Sequence, residues 1–295
     1  MFDRPVVLLV NPAAGGGRAL KVLPDVEAAL RARGVTLTTE RTRSLEHACE
    51  LIAGAADAGD AVVTLSGDGL IGCAAGILRG RDDALLGVLP GGRGNDFVRV
   101  LGLPRDPVAA ARALPDCEVR RLDVGDVAGR TFIGIASLGF DSDANRIGNE
   151  APSWLGPFAY AYGALRALAA YRPATFTLVL DDGSVIERPA MSVAAANSGA
   201  YGGGMFLAPD ARLDDGLLDL VITAAMPRRR FVLNLPKVFK GTHVNEPEIE
   251  IRRVRAVEVR VDRPFDVYAD GDPIASTPVT ISCVPQAVPV LCPAA

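Results

Sequence analysis

Apolar and polar positions along the chain fall into two textures. In the first, covering 1–122, short apolar runs alternate with longer stretches of helical period. Val6–Val10 is an unbroken apolar run suited to a buried parallel strand. A glycine-rich turn over 11–17 opens an amphipathic stretch over 18–33, which Gly34 ends, and 35–40 reads as the next strand. Helical period returns over 45–58, a buried strand is expected over 61–65, and a tight glycine turn leads into a helix over 71–78. A strand over 85–89 closes on Pro90-Gly91-Gly92-Arg93-Gly94. This alternation predicts an α/β N-terminal domain built on an open, mainly parallel sheet, in which ligand-binding loops gather at the carboxyl ends of the strands.

The second texture, over 123–285, is mainly β. Strand-like runs at 131–136, 176–180, 192–196, 218–223, 257–261 and 279–283 are separated by Gly, Asp and Pro turns, with one helical interval over 156–171. A sandwich-like β domain is the expectation, followed by a C-terminal segment, 286–295, able to pack back on the first domain.

Composition narrows the function classes. The 295 residues are 49% hydrophobic and 22% charged, enough to bury the cores of two domains. A formal net charge of -4 speaks against broad nucleic-acid binding, which needs a basic face to neutralise phosphates. The five cysteines are scattered, without CxxC or Cys/His ligand spacing, so neither a disulfide framework nor a zinc site is indicated. No secretory leader is visible, and no run reaches the ~20 apolar residues of a membrane span, so a cytoplasmic protein is expected.

Three glycine-rich turns carry the candidate chemistry: Asn11-Pro12-Ala13-Ala14-Gly15-Gly16-Gly17, Ser66-Gly67-Asp68-Gly69, and Pro90-Gly91-Gly92-Arg93-Gly94-Asn95-Asp96. Glycine lets backbone amides approach an anion, and a following helix N-terminus adds favourable charge. One such turn is commonly only a turn. Three at one sheet edge point to a phosphate-bearing ligand. The stretch from Gly67 to Gly72 also satisfies GxGxxG, but the next strand lacks the acid that would hold a dinucleotide ribose, and GxxxxGK[ST] is absent. Asp68 suits a magnesium ion beside nucleotide phosphates better than a bare pyrophosphate.

Together these residues resemble the diacylglycerol kinase catalytic family, which includes sphingosine and ceramide kinases and bacterial lipid kinases. The resemblance continues through Leu122-Asp123-Val124-Gly125, Ala208-Pro209-Asp210-Ala211-Arg212-Leu213-Asp214-Asp215-Gly216, Leu218-Asp219 and Asp270-Gly271-Asp272. Gly156-Pro157-Phe158-Ala159-Tyr160 is similar to the soluble bacterial branch. The resemblance implies a first domain like that of NAD kinases and phosphofructokinases. It implies an ATP site on Asn11, Pro12, Ala13, Ala14, Gly15, Thr42, Gly67, Asp68, Gly69, Leu70, Ile71, Gly72, Cys73 and Arg93, with Asn95 and Asp96 beside it. It implies a largely structural Mg2+ held by Asp215 and the carbonyls of Arg212 and Leu217. The proton acceptor falls on Asp272, with Asp270 as its competitor. The chain departs from the family pattern at Leu70 and Arg93, each where threonine is usual, and at Asp272, where glutamate is usual.

The function expected is ATP- and Mg2+-dependent phosphorylation of a lipid hydroxyl, diacylglycerol first, by an enzyme peripheral to the inner membrane face; a homodimer is compatible. A sphingoid-base or other lipid kinase, an NAD-kinase-like enzyme and a catalytically silent nucleotide-binding lipid sensor are the alternatives. Asp141 and Asp143 fall where related sphingosine kinases recognise an amino-alcohol headgroup, and a plain polar loop fits equally well. The segment 226–245 carries Arg228, Arg229, Arg230, Lys237 and Lys240 among apolar residues, the pattern of a solvated amphipathic connection or of contact with anionic headgroups. His47 and His243 have no partner pattern and read as non-catalytic. Trp154 reads as packing or lining a lipid entrance.

Overall fold

A computed structural model of the chain describes residues 4–150 and 159–294. Trp154 and the first part of the Gly156-to-Tyr160 motif lie outside the described residues.

The N-terminal part follows the alternation of the sequence: β1 (Val6–Val10), α1 (Arg18–Ala32), β2 (Leu37–Arg41), α2 (Leu45–Asp57), β3 (Ala61–Ser66), α3 (Asp68–Leu78), β4 (Leu86–Pro90), then the short α4 (Asp96–Val100) and α5 (Pro107–Ala113). The strands pair in parallel in the order β4-β3-β1-β2. Helices cover both faces, which is why β3 and β4 are buried at every position and show no polar alternation. Leu9, Val62, Leu86 and Val88 point into one core with Ile52 of α2 and Ile71 of α3. Leu8, Val63 and Leu89 point the other way, against Val26 of α1 and Ala110 of α5. Helix α3 begins at Asp68, not at 71 as the periodicity suggests, so the glycine turn is the first turn of the helix itself.

The rest comprises β5 (Glu118–Val127), β6 (Arg130–Phe132), β7 (Ile135–Gly139), α6 (Phe140–Asn149), α7 (Ala159–Ala170), β8 (Ala174–Leu180), β9 (Val185–Ala196), β10 (Leu218–Ala224), α8 (Arg228–Val238), β11 (Ile249–Val254), β12 (Ala256–Val261), β13 (Asp266–Ala269), β14 (Asp272–Ser276) and β15 (Val279–Cys292). Its strands pair antiparallel around a core of Phe132, Leu138, Phe176, Val193, Leu220, Val257 and Ile281. The fourteen-residue β15 joins the two parts: it pairs with β12 at its start, with β5 along most of its length, and with β4 at Val290↔Leu86. All strands therefore belong to one hydrogen-bonded network of fifteen. The run expected as one strand over 131–136 is broken between β6 and β7, because the amides of Ile133, Gly134 and Ile135 turn to the carboxylate of Asp270. The segment carrying Asp141 and Asp143 is not a loop but the first turn of α6. No helix among the described residues is long and apolar enough to cross a membrane.

Candidate functional site

The three glycine turns leave the carboxyl ends of β1, β3 and β4, which are neighbours, and meet backbone to backbone. The amides of Gly91 and Gly92 both donate to the Ser66 carbonyl, at 2.8 and 3.0 Å. A β-carbon on Gly92 would lie 2.5 Å from the Cα of Gly67, and one on Gly15 would lie 2.7 Å from the Gly91 carbonyl oxygen. Only glycine allows that approach, and Gly15 also has φ +60. Asn11 closes its own turn by accepting the Ala13 amide at 3.0 Å, and α1 then starts without a side-chain cap, leaving its first amides for an anion. Thr42 is buried at the same edge, its amide donating to the Val10 carbonyl at 2.9 Å. Arg93 is exposed on the third turn.

Asp68 links two of these turns. Its carboxylate accepts the Asp96 amide at 3.1 Å and the Phe97 amide at 3.0 Å, capping α4. Asn95, with φ +51, accepts the Gly92 amide at 2.8 Å and so shapes the turn rather than facing outward. Asp96 is buried and accepts the Gly203 amide at 2.7 Å and Arg99 at 3.1 Å. Burial raises its pKa, and the neighbouring charge of Asp68 adds to the rise.

From the β-rich part, Asp270 reaches the same edge. It sits at φ +52 between β13 and β14, its carboxylate held by the amides of Ile133 at 2.8 Å, Gly134 at 2.9 Å and Ile135 at 3.2 Å. Gly72 of α3 faces it, since a β-carbon there would lie 3.6 Å from Asp270 Oδ2. Burial pushes the Asp270 carboxyl up to about 6 against the pull of the three amides, with Asp68 contributing to the rise. Asp272 opens β14 as an exposed residue, its side chain without a hydrogen-bond partner among the described residues.

Other expected positions divide between buried framework and the backbone of the turns. Gly69 lies in the first turn of α3 and offers backbone only. Leu70 and Ile71 are buried in the core, so only their amides can face a ligand. Cys73 lies 3.0 Å from the Cys49 sulfur, and burial together with that neighbour pushes its thiol up to about 12. Pro12, Ala13 and Ala14 supply backbone within the first turn. Asp123 is buried and accepts the amides of Gly216 and Gln286, both at 2.7 Å, which fixes the 213–216 loop from behind. In that loop Asp215 accepts the Leu217 amide at 3.0 Å and pairs with Arg253; Arg212 is exposed and pairs with Asp214 at 3.4 Å. One carboxylate and two carbonyls are donors suited to Mg2+. Here the Arg253 guanidinium pairs with that carboxylate, so a cation at this loop would compete with it. Among the described residues no three His, Cys, Asp or Glu side chains gather into a metal cluster.

The Gly202-Gly203-Gly204 turn, which reaches Asp96, was not singled out by sequence reasoning; the run of three glycines was the available signal, and in the structure all three have positive φ. His243 is buried, its Nε2 3.0 Å from the Leu207 carbonyl oxygen, and burial lowers its pKa. Asp141 is half-buried at the start of α6, and burial pushes it up to about 6.

Comparison with known proteins bears on this arrangement. The model of the diacylglycerol kinase catalytic domain matches residues 5–127, and that of the YegS C-terminal NAD kinase beta sandwich-like domain matches residues 134–292. A diacylglycerol kinase of Mycobacterium tuberculosis is 35% identical over 98% of this chain and 95% of its own length. A probable YegS-like lipid kinase of Pseudomonas aeruginosa is 33% identical over 99% of this chain and 96% of its own. A solved structure described as a putative diacylglycerol kinase from Bacillus anthracis shares the fold, with a TM-score of 0.81 at 24% identity, covering 98% of this chain and 97% of that one.

Proposed function

This chain belongs to the diacylglycerol kinase family of lipid kinases, and from that premise we propose that it transfers the γ-phosphoryl group of Mg-ATP to a lipid hydroxyl, with diacylglycerol as acceptor and phosphatidic acid as product. The observation that carries the reading is the convergence of three amide-rich turns with Asp68, Asp96 and Asp270, carboxylates drawn from both parts of the chain.

Phosphoryl transfer asks for positioning and charge neutralisation more than for covalent chemistry. The amides of the first turn and of the α1 and α3 N-termini receive the donor phosphates, and Arg93 adds a guanidinium at the rim. Asp68 keeps an acceptor position on each oxygen beyond its amide bond and would help hold the magnesium of the donor, which would neutralise phosphate charge. Asp270 is the better placed of the two candidate bases. Its Oδ1 already takes two amides and its Oδ2 one, which leaves Oδ2, the oxygen facing Gly72, able to accept the acceptor's proton. A carboxyl raised to about 6 is also better matched to that task near neutral pH than an ordinary one. A water-insoluble acceptor requires the enzyme to work at a membrane surface, on its cytoplasmic face.

A second acceptor is favoured by Asp141. A carboxylate half-buried at the start of α6 is suited to an ammonium group, as in a sphingoid base. Incubation with labelled ATP, Mg2+ and separate micellar diacylglycerol, ceramide and sphingoid base tests both readings. Phosphatidic acid as the main product supports the first, a phosphorylated amino alcohol supports the second, and label appearing only as inorganic phosphate contradicts both.

A further inference from the structure

Helix α8 buries one face and leaves another without a partner among the described residues. Phe231 is buried against Phe140, with ring centroids 4.6 Å apart, and Asn234 and Leu235 lie on the same inner side. At 3.6 residues per turn, Arg229, Val232, Leu233 and Pro236 share the opposite face of α8, and Phe239 and Lys240 follow at its C-terminal end. Val232, Leu233 and Phe239 are 41%, 70% and 56% exposed, large values for apolar side chains grouped on one helix.

The cations of this segment divide sharply. Arg230 pairs with Glu248 at 2.8 Å and Lys237 with Glu246 at 2.6 Å, so those two charges are spent on holding α8 to the chain that follows it. Arg228 donates to the Tyr171 carbonyl at 3.3 Å, setting the start of α8 against the end of α7. Arg229 and Lys240 have no ion-pair partner among the described residues, and they flank the exposed apolar side chains. The segment 226–245 contains no acid, so nothing along it would repel an anionic surface.

We propose that the Arg229–Val232–Leu233–Phe239–Lys240 face of α8 docks on an anionic lipid bilayer, its apolar side chains entering the headgroup boundary and its two free cations meeting lipid phosphates. This rests on the kinase reading for its purpose but not for its evidence. Interfacial helices have this combination of an apolar stripe and flanking cations. A second copy of the chain fits the face poorly, because a two-fold contact along it would set Arg229 or Lys240 against the same cations of the other copy. The face also connects to the candidate site. The Phe206 amide donates to the carbonyl of Val238 at 2.9 Å, Tyr201 bridges Met205, and Gly203 donates to Asp96 at 2.7 Å. One short turn therefore runs from the last turn of α8 to the carboxylates, so a single backbone segment joins the proposed face to the candidate site.

The test is co-sedimentation of the full chain with phosphatidylcholine vesicles, with and without phosphatidylglycerol. The double variants are Arg229→Gln/Lys240→Gln and Leu233→Ser/Phe239→Ser, each checked for an unchanged melting curve. Wild-type protein should prefer the anionic vesicles. Neutralising both cations should weaken that binding about 30-fold, since each is worth roughly fivefold near such a surface. The serine pair should weaken binding at both compositions, while turnover of a monomerically dispersed short-chain diacylglycerol stays at the wild-type level in every variant. Variants that sediment like wild type overturn the proposal, and so does a dimer in light scattering that Leu233→Ser splits. Vesicle binding that depends on this face, with no phosphorylation of any lipid alcohol, supports the docking face and contradicts the kinase reading.

Discussion

Gly92 and Gly67 touch through their backbones: a β-carbon on the first would stand 2.5 Å from the Cα of the second. The second and third glycine turns thus form one surface, and any side chain at this contact separates them. Gly92→Ala is expected to cost about 1–3 kcal/mol of stability, as overpacking does, and to raise KM for ATP. Gly54→Ala is the control. That glycine lies inside α2, where a β-carbon meets nothing within 4 Å, and the exchange should stabilise the protein by about 0.5–1 kcal/mol. Urea unfolding of both variants checks the pair; equal effects would mean that the turns do not depend on their close contact.

Asp270 sets the expected pH profile. A base must be deprotonated to act, so kcat/KM should climb with pH through about 6 and then level off. The same raised pKa works in the opposite sense on stability: its contribution is fully present below the unfolded value near 4 and is lost as pH rises through about 6. Asp270→Asn should lower turnover at least about 100-fold, the scale of a lost general base. Asp272→Asn should stay within a few-fold of wild type. Single-turnover rates for the two variants decide between them, and the reverse ranking would move the base to Asp272.

Asp68 caps α4 as well as carrying the proposed magnesium role. Replacing it by Asn sets a side-chain amide against the backbone amides of Asp96 and Phe97, which need acceptors. A stability loss of about 1–3 kcal/mol is expected, together with near-complete loss of phosphoryl transfer. Melting curves and rates measured on the same preparation separate the two. Wild-type turnover by Asp68→Asn would leave the aspartate with only the capping role.

Arg253 answers the charge of Asp215. The melting temperature of the wild-type chain should therefore be insensitive to a chelator. In Arg253→Ala the carboxylate loses its partner, and added Mg2+ should then raise the melting temperature. A wild-type melting temperature that falls on chelation would show a cation, not the guanidinium, holding the 213–217 loop.

The sheet edge was legible because glycine at a strand end has few substitutes: the residues of all three turns follow from local pattern, whereas the adjacency of β1, β3 and β4 comes from their pairing in the sheet. The contacts that assemble the carboxylates were not legible. Asp270 is held by the amides of Ile133 to Ile135, which a strand pattern would assign to a ladder, and Asp96 is joined to Gly203 over more than a hundred positions. Backbone donors carry no sequence signature, so the chain shows the acids but not what they hold. Asp272 illustrates the cost: motif position points to it, but its exposed side chain has no hydrogen-bond partner among the described residues, whereas Asp270 is held by three amides. The helical start of α6 was hidden for a related reason, since Gly139, with φ +97, opens the helix without a side-chain cap.

Transfer of a phosphoryl group to a lipid alcohol is the activity proposed for this site. The most direct test follows the γ-label of ATP into the organic phase with Mg2+ and mixed micelles of diacylglycerol, for wild type and Asp270→Asn side by side. Labelled phosphatidic acid formed by the wild type and nearly lost in the variant is the predicted result. Label that never enters the lipid phase, or enters it equally with both proteins, would contradict the account.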